Sequence, residues 1–386
     1  MRVLIACDKF KDALTAPQAC GVIADALRAV HPDWVADPCP LADGGEGFAD
    51  ILTRAAGGRL IPVTVTGPRG APINAGFGLV TLAQIPVAAR TLLDLPANTP
   101  ATATIAVNEM AAASGLALLA PEDRDPWQTT TIGTGELIRA AVAHGAAAIL
   151  LGVGGSATND LGLGALNALG LDCLDAAGEK ITPSLPARWR QITKLAGAPA
   201  AGLPPIRIAC DVTNPLLGQR GAAAVYGPQK GLRAADLARL DSACARLGLM
   251  LCAHCRQHDN LMDAPGAGAA GGIAFGLMVA ANARLLPGFD LVGAWLDLEP
   301  RLAAADLIIT GEGRFDDSSL SGKGPGAVAA RALALGKPVR VFAGQISAVA
   351  APAGLQLHAI TPPGMPLAQA LSTAPDLLAA AIRQHC

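Results

Sequence analysis

The sequence predicts an α/β protein of two domains: a discontinuous, doubly wound parallel-sheet layer of Rossmann or flavodoxin type, carrying a mixed α/β domain as an insertion. Three observations predict it. Both ends of the chain alternate buried strands with helices, whereas the stretch from about 60 to 285 mixes hairpins with helices. A single β-α unit at the N-terminus cannot cover both faces of a parallel sheet. Joined to the three strand-like segments near the C-terminus, it completes a doubly wound layer. The expected domains are therefore 1–61 with 286–386, and 62–285 as the insertion.

Taken in order, RVLIAC (2–7) is a short β-capable run with little polar alternation, so it reads as a buried strand. A helix follows at about 16–30. Thr15 and Gln18 offer a capping box with Pro17 in the first turn, and Ala19, Val22, Ile23, Ala26, Leu27 and Val30 form one apolar stripe. The polar loop ADGGEG (42–47) leads into a helix to about 56. The turn TGPRGAP then sits between two strand candidates, which predicts a hairpin. Helices are expected at about 130–144, 160–169, 234–257 and 271–283, with strands at 146–151 and 206–210. Beyond 306 come the strands ADLIIT, PVRVFA and LHAI, separated by helices at 325–335 and 366–384.

Composition excludes several classes. Of 386 residues, 52% are hydrophobic and 16% charged, with 29 Lys+Arg against 31 Asp+Glu, so the chain is neither disordered nor a basic nucleic-acid binder. With 3% aromatic residues and one Tyr, base-stacking surfaces are not expected. The charge-free run 264–283 opens on Pro, Gly and Ala and is too weakly apolar to span a membrane. Met1 leads straight into a strand rather than a secretory signal. Nine scattered cysteines then point to reduced thiols and a cytoplasmic location. A homodimer is compatible with the sequence, though no residue demands one.

In open α/β sheets ligands sit beyond the carboxyl ends of the strands, and unusual polarity falls there. After the first strand come Asp8, Lys9, Lys11 and Asp12. After LIIT come Glu312, Arg314, Asp316, Asp317 and, past three serines, Lys323. The loop GVGGSATND (152–160) offers small residues, hydroxyls and helix-start amides to an anion. Asp211 and Asn214 suit orienting a hydroxyl or ligating Mg²⁺, or else capping a turn before Pro215. Lys230 suits neutralising phosphate. Gly152-x-Gly154-x-x-Ala157 matches a dinucleotide pattern loosely and Gly266-x-Gly268-x-x-Gly271 matches it in full, the second without a preceding strand. No P-loop, HExxH or GxSxG motif occurs, and Cys252-x-x-Cys255 lacks a second ligand pair for zinc.

Together these loops resemble the bacterial glycerate kinases of the type that lacks a P-loop. The motifs are DKFKDAL (8–14), ADGGEG (42–47), GTGELI (133–138), GGSATND (154–160), CDVTNPLLGQRGA (210–222), YGPQKG (226–231), PGAGAAGG (265–272) and TGEGRFDDSSLSGKGP (310–325). The sequence departs from the family's usual pattern at Leu161 and Ser318. The resemblance implies transfer of the γ-phosphoryl group of ATP to glycerate with Mg²⁺, 2-phosphoglycerate being favoured over 3-phosphoglycerate, in a cleft between two α/β domains. Within that implication Gly154, Gly155, Ser156, Thr158, Asn159 and Gly268 bind the nucleotide, and Lys230, Arg314 and Lys323 offset phosphate or carboxylate charge. Asp211, then Asp43, is the expected base. Glu312 and Asp316 hold Mg²⁺ through its waters, and Asp8, Lys9, Lys11 and Asn214 bind glycerate. Two rivals remain at this level: a nicotinamide-dependent dehydrogenase, suggested by the glycine patterns, and a non-enzymatic organic-acid-binding protein.

Overall fold

The computed structural model describes residues 1–317, 319, 324–347 and 351–386, and the strands run in chain order as follows. They are β1 (Arg2–Cys7), β2 (Val35–Pro38), β3 (Arg59–Thr66), β4 (Pro72–Thr81), β5 (Thr104–Glu109), β6 (Ala148–Gly152) and β7 (Leu171–Leu174). Then come β8 (Lys194–Gly197), β9 (Ile206–Ala209), β10 (Arg284–Leu286), β11 (Leu307–Phe315), β12 (Val339–Ile346) and β13 (Leu355–Ala359). The chain forms two compact units, 1–43 with 292–386, and 44–291.

The discontinuous unit is a five-stranded sheet in the order β13-β12-β11-β1-β2, every pair parallel. The helix Ala16–Val30 starts on the expected capping box, Thr15 accepting from the Gln18 N–H while the Gln18 side chain accepts from the Thr15 N–H. It packs with Ala374–His385 on the face built from Val3, Ile5, Cys7, Leu307, Ile309 and Phe342. The helix Gly324–Ala334 packs on β11, β12 and β1 with none of its residues in that cluster, so both faces are covered. The expected helix at 366–384 is instead two, Leu367–Ser372 and Ala374–His385, separated at Thr373, because Pro375 in the first turn of the second has no N–H to donate back to the Leu371 carbonyl.

The other unit carries a six-stranded sheet in the order β10-β9-β6-β5-β4-β3 and a small antiparallel pair, β7-β8. The hairpin β3-β4 and the pair β4-β5 are antiparallel, and the remaining pairs are parallel. Both sheets are of the predicted α/β kind. The units divide at 43/44 and 291/292, where sequence reading placed 61/62 and 285/286. The physical reason at the first is the helix Phe48–Ala55, which packs on β4 and β5 and so belongs with the strands that follow it.

Candidate active site

The discontinuous unit gathers charge at the carboxyl ends of two neighbouring strands. Cys7 pairs with Gly311 across β1 and β11, and the Asp8 N–H donates to the Gly311 carbonyl at 3.0 Å, so Asp8 and Glu312 emerge side by side. Asp8 is buried and its Oδ1 accepts from the Lys9 N–H at 2.7 Å. Burial, reinforced by the charge of Asp43 and opposed by Lys9, raises its pKa to about 7. Lys9 Nζ lies 3.3 Å from Asp43 Oδ1. Burial also raises the pKa of Glu312, and its Oε1 is buried without a hydrogen-bond partner among the described residues. Arg314 Nε lies 3.4 Å from Asp316 Oδ2, and the same guanidinium donates to Ser347 Oγ at 3.3 Å. Lys11 is exposed. Lys323 and Ser318 fall outside the described residues.

Among the described residues no group of three or more His, Cys, Asp or Glu side chains could hold a metal ion. A Mg²⁺ carried in by ATP needs only one or two carboxylates beyond phosphate oxygens and waters. Glu312, with an unpartnered buried oxygen and Asp316 close in sequence and charge, suits that lesser demand.

The unit 44–291 gathers glycines and hydroxyls around the segment 152–161, and the glycines are explained by how tightly its loops stack. The Gly154 N–H donates to the Gly44 carbonyl at 2.9 Å, and a Cβ on Gly154 would lie 2.7 Å from the Gly45 nitrogen. On the other flank the Leu161 N–H donates to the Gly271 carbonyl at 3.1 Å, and a Cβ on Gly271 would lie 2.1 Å from the Thr158 oxygen. Gly268 is pressed against Pro215, whose carbonyl oxygen would be 2.2 Å from a Cβ, and the Gly268 N–H donates to the Asn214 carbonyl at 3.0 Å. Motifs 42–47, 154–160, 210–222 and 265–272 thus converge through backbone contact. Both glycine patterns that suggested a dinucleotide are accounted for by protein packed on protein.

Ser156 and Lys230 join the same assembly. Lys230 Nζ donates to Ser156 Oγ at 2.9 Å and to the Thr158 carbonyl at 2.6 Å. The Gly154 N–H is taken by the Gly44 carbonyl and the Ala157 N–H by the Ser114 carbonyl, while among the described residues no backbone carbonyl accepts from the Gly155 and Ser156 amides between them; the Glu46 carboxylate lies beside Gly155, its Oε1 2.5 Å from where a Cβ would stand. Thr158 Oγ1 and Asn159 Oδ1 are buried without partners among the described residues, and Asn159 Nδ2 donates to Cys244 Sγ at 3.5 Å. Such atoms in a folded chain call for water or a ligand.

Other predicted residues are engaged structurally. Both oxygens of Asp211 accept from the Phe289 N–H, at 3.1 and 2.9 Å, at the start of the helix Gly288–Trp295. Asn214 donates to the Arg220 carbonyl at 2.8 Å and accepts from the Tyr226 hydroxyl at 2.6 Å. Sequence reading gave no role to Asp160, whose fully buried carboxylate accepts from the Thr131 N–H and hydroxyl and from the Gly162 and Gly164 N–H groups. Burial raises its pKa while those four bonds oppose the rise. Its place just ahead of the helix Leu163–Leu169 was the available signal, since Asp there satisfies helix-start amides. Glu109 was missed as well: its Oε2 accepts from the Gly47 and Ala49 N–H groups, both at 3.1 Å, starting a helix whose own Gly47 has no side chain to do so.

The sequence pattern of the glycerate kinase family matches residues 3–386. A glycerate kinase of Bacillus subtilis (strain 168) is 39% identical over 353 residues, covering 90% of this chain and 86% of that protein. A glycerate 2-kinase of Escherichia coli (strain K12) is 39% identical with the same coverage. A crystal structure of a glycerate kinase 2 from Salmonella typhimurium LT2 superposes with a TM-score of 0.75 at 37% identity, covering 100% of this chain and 96% of that one.

Proposed function

The chain belongs to the glycerate kinase family, and from that premise we propose that it transfers the γ-phosphoryl group of ATP to D-glycerate, giving 2-phosphoglycerate and ADP. The observation that carries the reading is the convergence of the distant motifs 42–47 and 265–272 on the segment 152–161, with 210–222 seated in turn against 265–272. Phosphoryl transfer asks for N–H groups and cations where phosphate oxygens gain charge, and for a base at the attacking hydroxyl. The amides of Gly155 and Ser156 supply the first, with the orphaned Thr158 hydroxyl and Asn159 amide oxygen as further partners for the nucleotide and its waters.

Lys9 and Lys11 hold the carboxylate of glycerate, with Asp43 orienting Lys9 at 3.3 Å. Asp8 takes the hydroxyl proton: a carboxyl titrating at about 7 is half ionised near neutrality, close to the optimum for a general base. Asp211, engaged at Phe289, is a less suitable base and shapes the segment 210–215 instead. Arg314 offsets charge on the transferring group. Glu312 and Asp316 would hold Mg²⁺, which when bound would neutralise phosphate charge. The cytoplasm, rich in ATP and reducing, suits a protein whose nine cysteines form no disulfide.

The test incubates the purified chain with D-glycerate and MgATP, following ADP release and the phosphorus NMR spectrum of the product. Glycerate-dependent ADP with the signal of 2-phosphoglycerate is expected. ADP release indifferent to glycerate would overturn the activity, and a 3-phosphoglycerate signal would overturn the position of transfer. Size-exclusion chromatography checks the homodimer.

A further inference from the structure

A fully buried lysine is uncommon, because desolvating an ammonium is costly unless it is paired. Lys230 is 1% exposed. It ends the short turn Pro228–Lys230, and Gly231 follows with φ of 92°, where a Cβ would lie 2.0 Å from the Arg124 carbonyl oxygen. The turn is thereby pinned and the side chain directed inward to Ser156 Oγ and the Thr158 carbonyl. Those two acceptors flank Ala157. The Ala157 N–H goes to the Ser114 carbonyl, and its own carbonyl accepts from Thr129 Oγ1 at 3.2 Å. The bend 156–158 is therefore held at its middle by the protein on one side and at both ends by one amine.

Among the described residues Asp160 exerts the charge that favours the ammonium, and its carboxylate is already committed to Thr131, Gly162 and Gly164. The Glu46 carboxylate faces the same loop, its Oε1 2.5 Å from where a Cβ on Gly155 would stand. The segment carrying Arg124 meets the turn through its backbone carbonyl at Gly231. Cys244, the partner of Asn159, has its thiol pKa pushed up by burial and stays uncharged.

We propose that Lys230 is a positioning residue: it fixes the spacing of Ser156 and Thr158, and a phosphate anion bound at the Gly155 and Ser156 amides draws a proton onto its amine. The inference rests on the phosphoryl-transfer reading, since it takes that loop as the phosphate site. Burial, partly offset by Asp160, lowers the amine's pKa to about 7, so at pH 8 it is mostly neutral before ligand arrives. An anion stabilises the ammonium. Binding then takes up a proton, and affinity falls as pH rises past 7.

Isothermal titration calorimetry of the full chain with MgATP, without glycerate, at pH 8 in two buffers of different ionisation enthalpy counts the proton. The wild type should take up roughly half to one proton per nucleotide. Lys230→Met should take up none of that proton, raise KM for MgATP about tenfold and leave kcat within about threefold. Ser156→Ala should keep the proton uptake with a smaller rise in KM. Wild-type binding without proton exchange, or a Met variant whose uptake and KM match the wild type, would overturn the role of Lys230. Should Lys230→Met fail to fold, Lys230→Arg decides in its place, since a guanidinium stays charged at pH 8 and should take up none of that proton. Glycerate phosphorylation by a wild type that takes up no proton sinks this inference alone, whereas no catalysis at all sinks the reading beneath it.

Discussion

Holding Asp8 at a pKa of about 7 costs stability. An unfolded Asp titrates near 3.8, so between the two values the folded chain binds more protons than the unfolded one. The contribution is intact below about 3.8 and is lost as pH climbs to 7. Asp8→Asn keeps an oxygen for the Lys9 N–H and removes that loss. It should therefore be more stable than wild type at pH 8, on the order of 2 kcal/mol, and no more stable near pH 4. Turnover should fall roughly a hundredfold or more. Thermal midpoints at the two pH values and steady-state rates check both; a variant equally stable at pH 8 contradicts the buried carboxyl. Leu161 poses a different balance. It adopts φ of 58°, a conformation that favours glycine, yet its side chain is fully buried. Relieving the backbone returns roughly 1–2 kcal/mol, while emptying a buried leucine site costs about 2–5 kcal/mol. Leu161→Gly should thus lower stability by about 2 kcal/mol, read from the urea midpoint, and a gain would show the strain to dominate.

Elements whose cause is local were legible in the sequence. The helix Ala16–Val30 is specified by its own Thr15, Pro17 and Gln18, and the β3-β4 hairpin by the turn between its strands. What depends on distant partners was not. The helix Phe48–Ala55 takes its allegiance from β4 and β5, Asp211 from Phe289, and Lys230 from Ser156, a lysine whose burial no local sequence signal marks. Glycines divide in the same way. Gly21, inside a helix with nothing within 4 Å of a Cβ, serves no steric need, so Gly21→Ala should raise stability by about 0.5–1 kcal/mol, read as a higher urea midpoint. Gly154→Ala forces a Cβ against the Gly45 backbone and should cost about 1–3 kcal/mol and weaken MgATP binding. If both substitutions moved stability alike, the stacked-loop account of Gly154 would fail.

For the whole molecule, the sequence motifs sort into two chemical sets, each seated on its own sheet. Charged side chains follow β1 and β11 in the discontinuous unit, and glycines and hydroxyls surround the segment after β6 in the other. The chain passes from one unit to the other at the Asp43–Gly44 bond, within the 42–47 motif. The proposed function assigns them a division of labour, in which the charged set would perform the proton and charge chemistry on glycerate and the glycine set would hold the nucleotide. Two-substrate steady-state kinetics of Asp8→Asn beside Ser156→Ala test this most directly. The account predicts that Asp8→Asn loses kcat with KM for MgATP nearly unchanged, and that Ser156→Ala raises KM for MgATP with kcat largely kept. The reverse pattern, or two variants indistinguishable from wild type, would contradict it.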